Sequence, residues 1–155
     1  MSTGSPWRAA LTPLLRTWFR LKRPMTLGVR GLAFDAEGRL MLVRHTYMAG
    51  WHLPGGGVER EETCEAAMRK EFAEEAGLAV EGPLTLHGVF LNRNFRGDHV
   101  LVYRAHAWSP CPTNSAGEIA ERGFFAPDAL PEGTRPHVHA RLAELGGGAP
   151  PSPFW

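Results

Sequence analysis

Within the run Lys70-Glu71-Phe72-Ala73-Glu74-Glu75-Ala76-Gly77, three carboxylates stand at i, i+3 and i+4. A helix brings residues so spaced to one face, so Glu71, Glu74 and Glu75 are expected to gather around a shared point. Like charges held there repel by roughly a few tenths of a kcal/mol per exposed pair, and by more once buried, so a cation is the natural compensation. At about 100° per residue, Glu71 and Glu75 fall within roughly 20° of Cys64 and close to Met68, while Glu65, Arg69 and Lys70 point elsewhere. A solvated acidic face would lie opposite the apolar side; carboxylates on its edge suggest the wall of a cleft. Oxygen ligands of this kind suit Mg2+ or Mn2+ rather than zinc.

The same residues belong to a longer pattern. From Gly56 to Leu78 the chain reads glycine, five residues, Glu62, seven residues, then Lys70-Glu71-Phe72-Ala73-Glu74-Glu75-Ala76-Gly77-Leu78. This resembles the box of the Nudix hydrolases, with Leu53-Pro54-Gly55-Gly56 ahead of it also similar to the family. One position departs: Lys70 stands where the family has arginine. Lysine keeps the charge but makes a point contact in place of a two-pronged one, which is expected to loosen the acid network without abolishing turnover. Outside the box the resemblance runs in strand order over roughly Thr26–Pro131, and Glu118–Pro131 resembles the family's late glutamate, aromatic strand and acidic-Leu-Pro turn.

The resemblance implies a divalent-metal-dependent hydrolase that cuts a pyrophosphate bond in a nucleoside diphosphate-linked compound or a nucleoside triphosphate. By the match, Glu74 and Glu75 are the leading metal ligands, Glu71 is a further one and the Gly56 carbonyl is a backbone ligand, all for Mg2+ or Mn2+. Glu62 is expected to hold the loop–helix joint through ion pairing. The general base stays open between a box glutamate and one on a later loop; Glu118 is the candidate there, with Glu121 behind it. The catalytic set is thus Glu71, Glu74, Glu75 and Glu118. Arg44 and His45, at the end of a strand facing the box, are candidate phosphate contacts, with His52 similar, and Arg93 and Phe95 are candidates for gripping a ribose or stacking on a base. Ordinary surface charge at Glu118, Glu121 and Arg44, and a solvated hairpin tip at Arg93–Arg96, are the competing readings. His137 and His139, two apart in the last helix, form no metal pair and read as structural.

The substrate is not legible. The region Arg93-Asn94-Phe95 lacks the proline of ADP-ribose pyrophosphatases and the tyrosine of diadenosine polyphosphate hydrolases, and signatures for coenzyme A and NADH are also missing. A catalytically weak Nudix-fold nucleotide-binding or regulatory module is the alternative function; clustered, costly carboxylates favour the enzyme. A peripheral membrane protein led by a basic helix is a third reading.

The elements that must position these residues follow from periodicity. Thr26–Phe34 and Arg39–His45 read as strands joined by Asp35-Ala36-Glu37-Gly38 and are expected to pair as an antiparallel hairpin. Trp51–Glu59 reads as a loop and Thr63–Ala76 as a helix capped by Thr63 and stopped at Gly77. Leu84–Leu91, His99–Trp108 and a short Gly123–Phe125 read as strands, and Pro136–Leu145 as a closing helix. The expectation is an α+β fold, a Nudix-like α/β/α sandwich with a mixed central sheet over residues 25–146. Ahead of it, residues 1–24 form an extension whose segment Ser5–Arg23 carries Leu11, Leu14, Leu15, Trp18, Phe19 and Leu21 at helical intervals among basic residues. Packing on the domain or on a second subunit, hence a possible homodimer, is its simplest use. The glycine- and proline-rich tail from 147 to 155 is expected to be loose, although Phe154 and Trp155 disfavour full exposure.

Composition sets the outer bounds. A chain of 155 residues with 43% hydrophobic content suits one domain. A formal charge of +1 gives no field that would draw the whole molecule to nucleic acid or membrane, and neither partner is expected; the nucleotide-type small-molecule substrate is what the resemblance implies. Cys64 and Cys111 have no metal-ligand spacing, no apolar run reaches the roughly 20 residues of a bilayer span, and no cleavable leader is evident, which together point to the cytoplasm.

Overall fold

The computed structural model describes residues 25–115 and 117–155. The expected N-terminal amphipathic helix and the dimer built on it lie outside the described residues.

Six strands form two three-stranded sheets. In the first, β1 (Thr26–Ala33) runs parallel to β5 (Asp98–Pro110), and β5 pairs antiparallel with β4 (Leu78–Leu91). In the second, β2 (Leu40–His45) lies between β3 (Trp51–His52) and β6 (Ile119–Phe125), antiparallel to both. Helix α1 (Cys64–Glu71) continues directly into a single π-helical turn, Phe72–Ala76, and α2 (Pro136–Leu145) follows β6.

Alternation along the strands divides the core between the helices. Val29, Ala33 and Met41 pack with Ala67, Met68 and Phe72 of α1 and its π turn. Leu32, Leu40 and Leu42 point the other way, onto Phe90, Val102 and Val138 of α2. Period-2 burial on strands facing two helices is what an α/β/α sandwich requires, and the expected fold class stands. On the α1 side the approach is so close that a Cβ on Gly31 would collide with Phe72 and Met68.

The hairpin expectation is corrected. The Asp35–Arg39 turn forms, with Gly38 N–H donating to Asp35 O at 3.0 Å and Gly38 at φ +76°, but pairing ends at the Phe34–Leu40 bridge and the strands enter different sheets. The edge of β1 that a hairpin would fill is taken by the glycine loop. Val29 N–H donates to Gly56 O and Gly31 N–H to Pro54 O, both at 2.9 Å, and Val58 N–H returns to Leu27 O at 2.8 Å. A strand edge satisfied by loop amides has nothing left for a hairpin partner.

Other boundaries shift for local reasons. The segment expected to be wholly loop contains β3. β4 begins at Leu78 rather than Leu84, because a register shift between Glu81 and Leu84 absorbs Gly82-Pro83 without ending the strand. β6 begins at Ile119 rather than Gly123.

The tail is docked rather than loose. Leu91 N–H donates to Pro153 O at 2.9 Å and Trp155 N–H to Leu91 O at 3.0 Å, so the segment joins the outer end of β4. Trp155 stacks on His137 with ring centroids 4.4 Å apart, and Ser152 N–H donates to Glu144 at 2.9 Å. Among the described residues no helix is long and apolar enough to cross a membrane.

Candidate active site

Three glycines and two glutamates build the centre. Thr63 Oγ1 accepts from Ala66 N–H at 3.1 Å, starting α1, and Gly77 at φ 71° ends the π turn, its N–H donating to Phe72 O. The π turn departs from the regular helix expected over Thr63–Ala76; such wider turns are concentrated at functional sites. It carries Glu75, which is only 5% exposed, into the interior, where one carboxylate oxygen accepts from Gly55 N–H at 2.8 Å. The other lies 3.6 Å from His45 Nδ1. Glu71 presses against the loop one residue on, so that a Cβ on Gly56 would overlap its carboxylate. Gly55 adopts φ +146° and its backbone lies against Val29 O, a position that only glycine fills without strain.

The two acids suffer from this closeness. Burial, only partly offset by the Gly55 N–H, pushes Glu75 up to about 7, and the charge of Glu71 adds to the rise. Burial raises Glu71 as well, with Lys70 opposing and Glu74 adding. Glu118, on the loop before β6, contributes its negative charge at both, which places it on the same side of the molecule. Within the protein the balancing cation is Arg30, a residue on β1 whose Nη1 donates to Leu53 O at 3.1 Å and Gly55 O at 2.7 Å. One guanidinium facing the buried Glu75 and the half-buried Glu71 leaves negative charge over, and the oxygen donors on offer are Glu71, Glu75 and the Gly56 carbonyl. That set fits a divalent ion. Among the described residues, no three His, Cys, Asp or Glu side chains are already closed around a point.

The remaining expected residues scatter around this centre. Glu74 is half-buried and Glu118 exposed. Lys70 Nζ sits 3.2 Å from Glu62 and 3.3 Å from Glu59, and Glu59 N–H donates to Glu62 at 3.1 Å, so the loop–helix joint is held as expected. Arg44 pairs with Glu121 across β2 and β6, both of them exposed. Arg93 lies over the Phe154 ring, 3.5 Å from its centroid. Phe95, 62% exposed, borders a cavity of about 470 Å³ together with Gly55, Gly56 and Gly57.

That cavity is also lined by Arg30, Tyr47, Met48 and Trp155, none of which stood out in the sequence. A signal existed for Arg30, an arginine between Val29 and Gly31 in the middle of an apolar strand. For Trp155 there was only its reluctance to be exposed. His45, fully buried with neither ring nitrogen hydrogen-bonded among the described residues, stands 5.7 Å from His52, which stands 5.5 Å from His137. His139 is exposed and apart from this row, so His137 and His139 form no pair.

Comparison with known proteins bears directly on this arrangement. The family model for the NUDIX domain matches residues 24–145. A MutT-like protein of Streptomyces ambofaciens is 32% identical over 126 residues, spanning 81% of this chain and 80% of that protein. An RNA pyrophosphohydrolase of Gluconobacter oxydans (strain 621H) is 34% identical over 93 residues, 48% of this chain and 55% of that protein. The crystal structure of a MutT NUDIX hydrolase from Burkholderia pseudomallei superposes with a TM-score of 0.66 at 28% identity, covering 77% of this chain and 97% of the other. The family match therefore takes in both sheets, both helices and the glycine loop between them, and the chain belongs to the Nudix family of pyrophosphohydrolases.

Proposed function

We propose that this Nudix protein uses Mg2+ or Mn2+ to hydrolyse a pyrophosphate bond in a nucleoside triphosphate or a nucleoside diphosphate-linked compound. The observation that carries the reading is the pair Glu71 and Glu75, held against Gly55 and Gly56, two glycines that line the cavity of about 470 Å³. Glu71, Glu74, Glu75 and the Gly56 carbonyl would hold the metal. When bound, it supplies neutralisation of phosphate charge and a more acidic water. The protein's own part is to orient: Gly55 N–H fixes one oxygen of Glu75, Arg30 ties the glycine loop to β1, and Lys70 ties Glu59 and Glu62 to α1.

Proton removal from water falls to Glu118, whose exposed carboxylate is free of side-chain partners among the described residues and adds its charge at Glu71 and Glu75. Phe95 and Tyr47, both exposed beside the cavity, offer faces for a base. Arg44 pairs with Glu121 and Arg93 lies over Phe154, so each would meet phosphate with the N–H donors those contacts leave. One relative is named for acting on RNA, which keeps RNA among the compounds to assay. Free Cys64 and Cys111 suit a reducing cytoplasm.

The test is a panel of nucleoside triphosphates, dinucleoside and nucleoside diphosphate-linked compounds and triphosphorylated RNA, with Mg2+ or Mn2+. Release of nucleotide or phosphate is expected from at least one member. It should stop in EDTA and fall at least ~100-fold in Glu75→Gln, the range seen when a group stabilising transition-state charge is removed. Full activity in that variant would remove Glu75 from the site.

A further inference from the structure

A second cavity, of about 290 Å³, adjoins the one beside the glycine loop and shares Arg30, Met48, Asn92 and Trp155 with it. Its remaining walls come from a different part of the chain: His52, Asn94, and Arg135, Pro136 and His137 at the start of α2. Neither an Asp or Glu side chain nor a residue of the glycine loop is among its lining residues.

We propose that this cavity is a phosphoryl subsite, which takes a phosphate group carried by the substrate on the far side of its nucleoside from the scissile diphosphate. The substrate position rests on the hydrolase reading above; the anion site does not.

Charge is the first argument. Arg30 and Arg135 are formal cations, and neither has a carboxylate oxygen within 4.0 Å among the described residues. A guanidinium has five N–H donors. Arg30 spends those of Nη1 on the carbonyls of Leu53 and Gly55, which leaves its other edge for the cavities it lines. Arg30 already faces Glu71 and Glu75, so the charge left without an acid in this cavity is that of Arg135, and the fork geometry of a guanidinium matches an anion with several acceptor oxygens such as phosphate.

Unsatisfied polarity is the second. His137 Nε2 is buried with no hydrogen-bond partner among the described residues, while its ring is fixed by stacking on Trp155 at 22°. A buried ring nitrogen without a partner costs about 1–3 kcal/mol, and in the tautomer that puts the proton on Nε2 a phosphate oxygen in the cavity would relieve it. The backbone adds to the same end. Helix α2 starts with Arg135 as a cap that makes no side-chain hydrogen bond and Pro136 in its first turn, so its positive end is uncapped toward this space.

The wall the two cavities share gives the ligand its shape. The first cavity joins the glycine loop to Tyr47, Phe95 and Trp155, and the second meets it along the shared wall of Arg30, Met48, Asn92 and Trp155. A nucleoside seated on that shared wall, with its diphosphate at the glycine loop, would carry a further phosphate into the second cavity. The distal group is either a phosphomonoester on the sugar or the phosphodiester of a following nucleotide.

Binding in EDTA reads the subsite without turnover, so its failure is separable from failure of the hydrolase reading. For each of the four bases, the full chain is titrated calorimetrically with the nucleoside 5′-monophosphate, the 3′,5′-bisphosphate and the 5′-phosphorylated dinucleotide. At least one base should show the bisphosphate or the dinucleotide binding 10-fold or more tighter than the monophosphate; which of the two gains distinguishes monoester from diester. Arg135→Ala, at an exposed position, should bring the gain below about 3-fold, Arg135→Lys should restore part of it, and the His137 ring resonances should move only with the distal phosphate. Equal affinities, no binding of any probe at millimolar concentration, or a gain that survives Arg135→Ala would each overturn the proposal.

Discussion

Glu75 is the residue where stability and function pull in opposite directions. Burial pushes its carboxyl up to about 7 in the folded protein from the ordinary 4.5 of the open chain. Between those values the native state holds a proton that the unfolded state has released, so metal-free stability falls as pH rises through the window. The rise is worth about 3 kcal/mol, dominated by burial. Thermal melts in EDTA should therefore drop from pH 5 to pH 8, whereas Glu75→Gln, neutral throughout, should lose most of that slope and outlast the wild type at pH 8. An unchanged slope would mean that Glu75 is not the buried acid described. With a divalent ion the sign reverses, because the ion needs the deprotonated form: its affinity should weaken about tenfold per unit below pH 7. Sequence spacing anticipated that Glu71 and Glu75 would share an edge with the apolar side of α1. It did not reveal that Gly55 N–H holds Glu75 or that Arg30 faces the pair, since both contacts join segments that only the fold brings together.

At the scale of elements, the contact between α1 and β1 sets the position of the acids. Gly31 lets Phe72 and Met68 lie directly on the strand, and Phe72 opens the π turn that carries Glu75 inward. Gly31→Ala should cost about 1–3 kcal/mol by overpacking, because both neighbours are fully buried and have nowhere to go. If the turn is the route by which the strain reaches the site, kcat should fall with it, and Phe72→Leu in the same chain should recover part of both losses. Independent, additive effects in that double-mutant cycle would uncouple the strand from the turn. Helix ends and the closing helix were legible because caps and stops are local chemistry: Thr63, Gly77 and Pro136 act through neighbouring amides. The pairing of β1 was not. A turn such as Asp35–Gly38 reverses the chain, but which backbone then fills the strand edge depends on a loop some twenty residues further along.

Across the whole molecule, the tail and α2 form one unit with the end of β4. Arg141, 1% exposed, pairs with Glu144 at 2.6 Å and lies 3.7 Å from the centre of the Phe90 ring, while Glu144 also accepts from Ser152 N–H and contacts His87 at 2.9 Å. Burial pushes the pKa of Glu144 up, but the bonds from Ser152, His87 and Arg141 outweigh it and hold the group below 4.5. The folded value being depressed, this contribution is complete above 4.5 and fades as acid titrates the group. Glu144→Gln strands a buried guanidinium and should cost about 3 kcal/mol at pH 7, and much less at pH 3, measured by urea unfolding. Trp155→Ala should cost about 2 kcal/mol, roughly 4–8 °C in Tm, and release Leu91 N–H to faster hydrogen exchange. Slow exchange retained there would show the tail to be ornamental. By itself the sequence determined the layered fold class, the glycine-to-leucine box and the acids on one edge of a helix, because periodicity, caps and short-range spacing act within a few residues. Only the tertiary structure decided that Arg30, Tyr47 and Trp155 line the cleft and that Arg135 and His137 stand beside it. These residues are remote in the chain, and what unites them is the closure of two sheets between two helices, a global packing solution that no local pattern encodes.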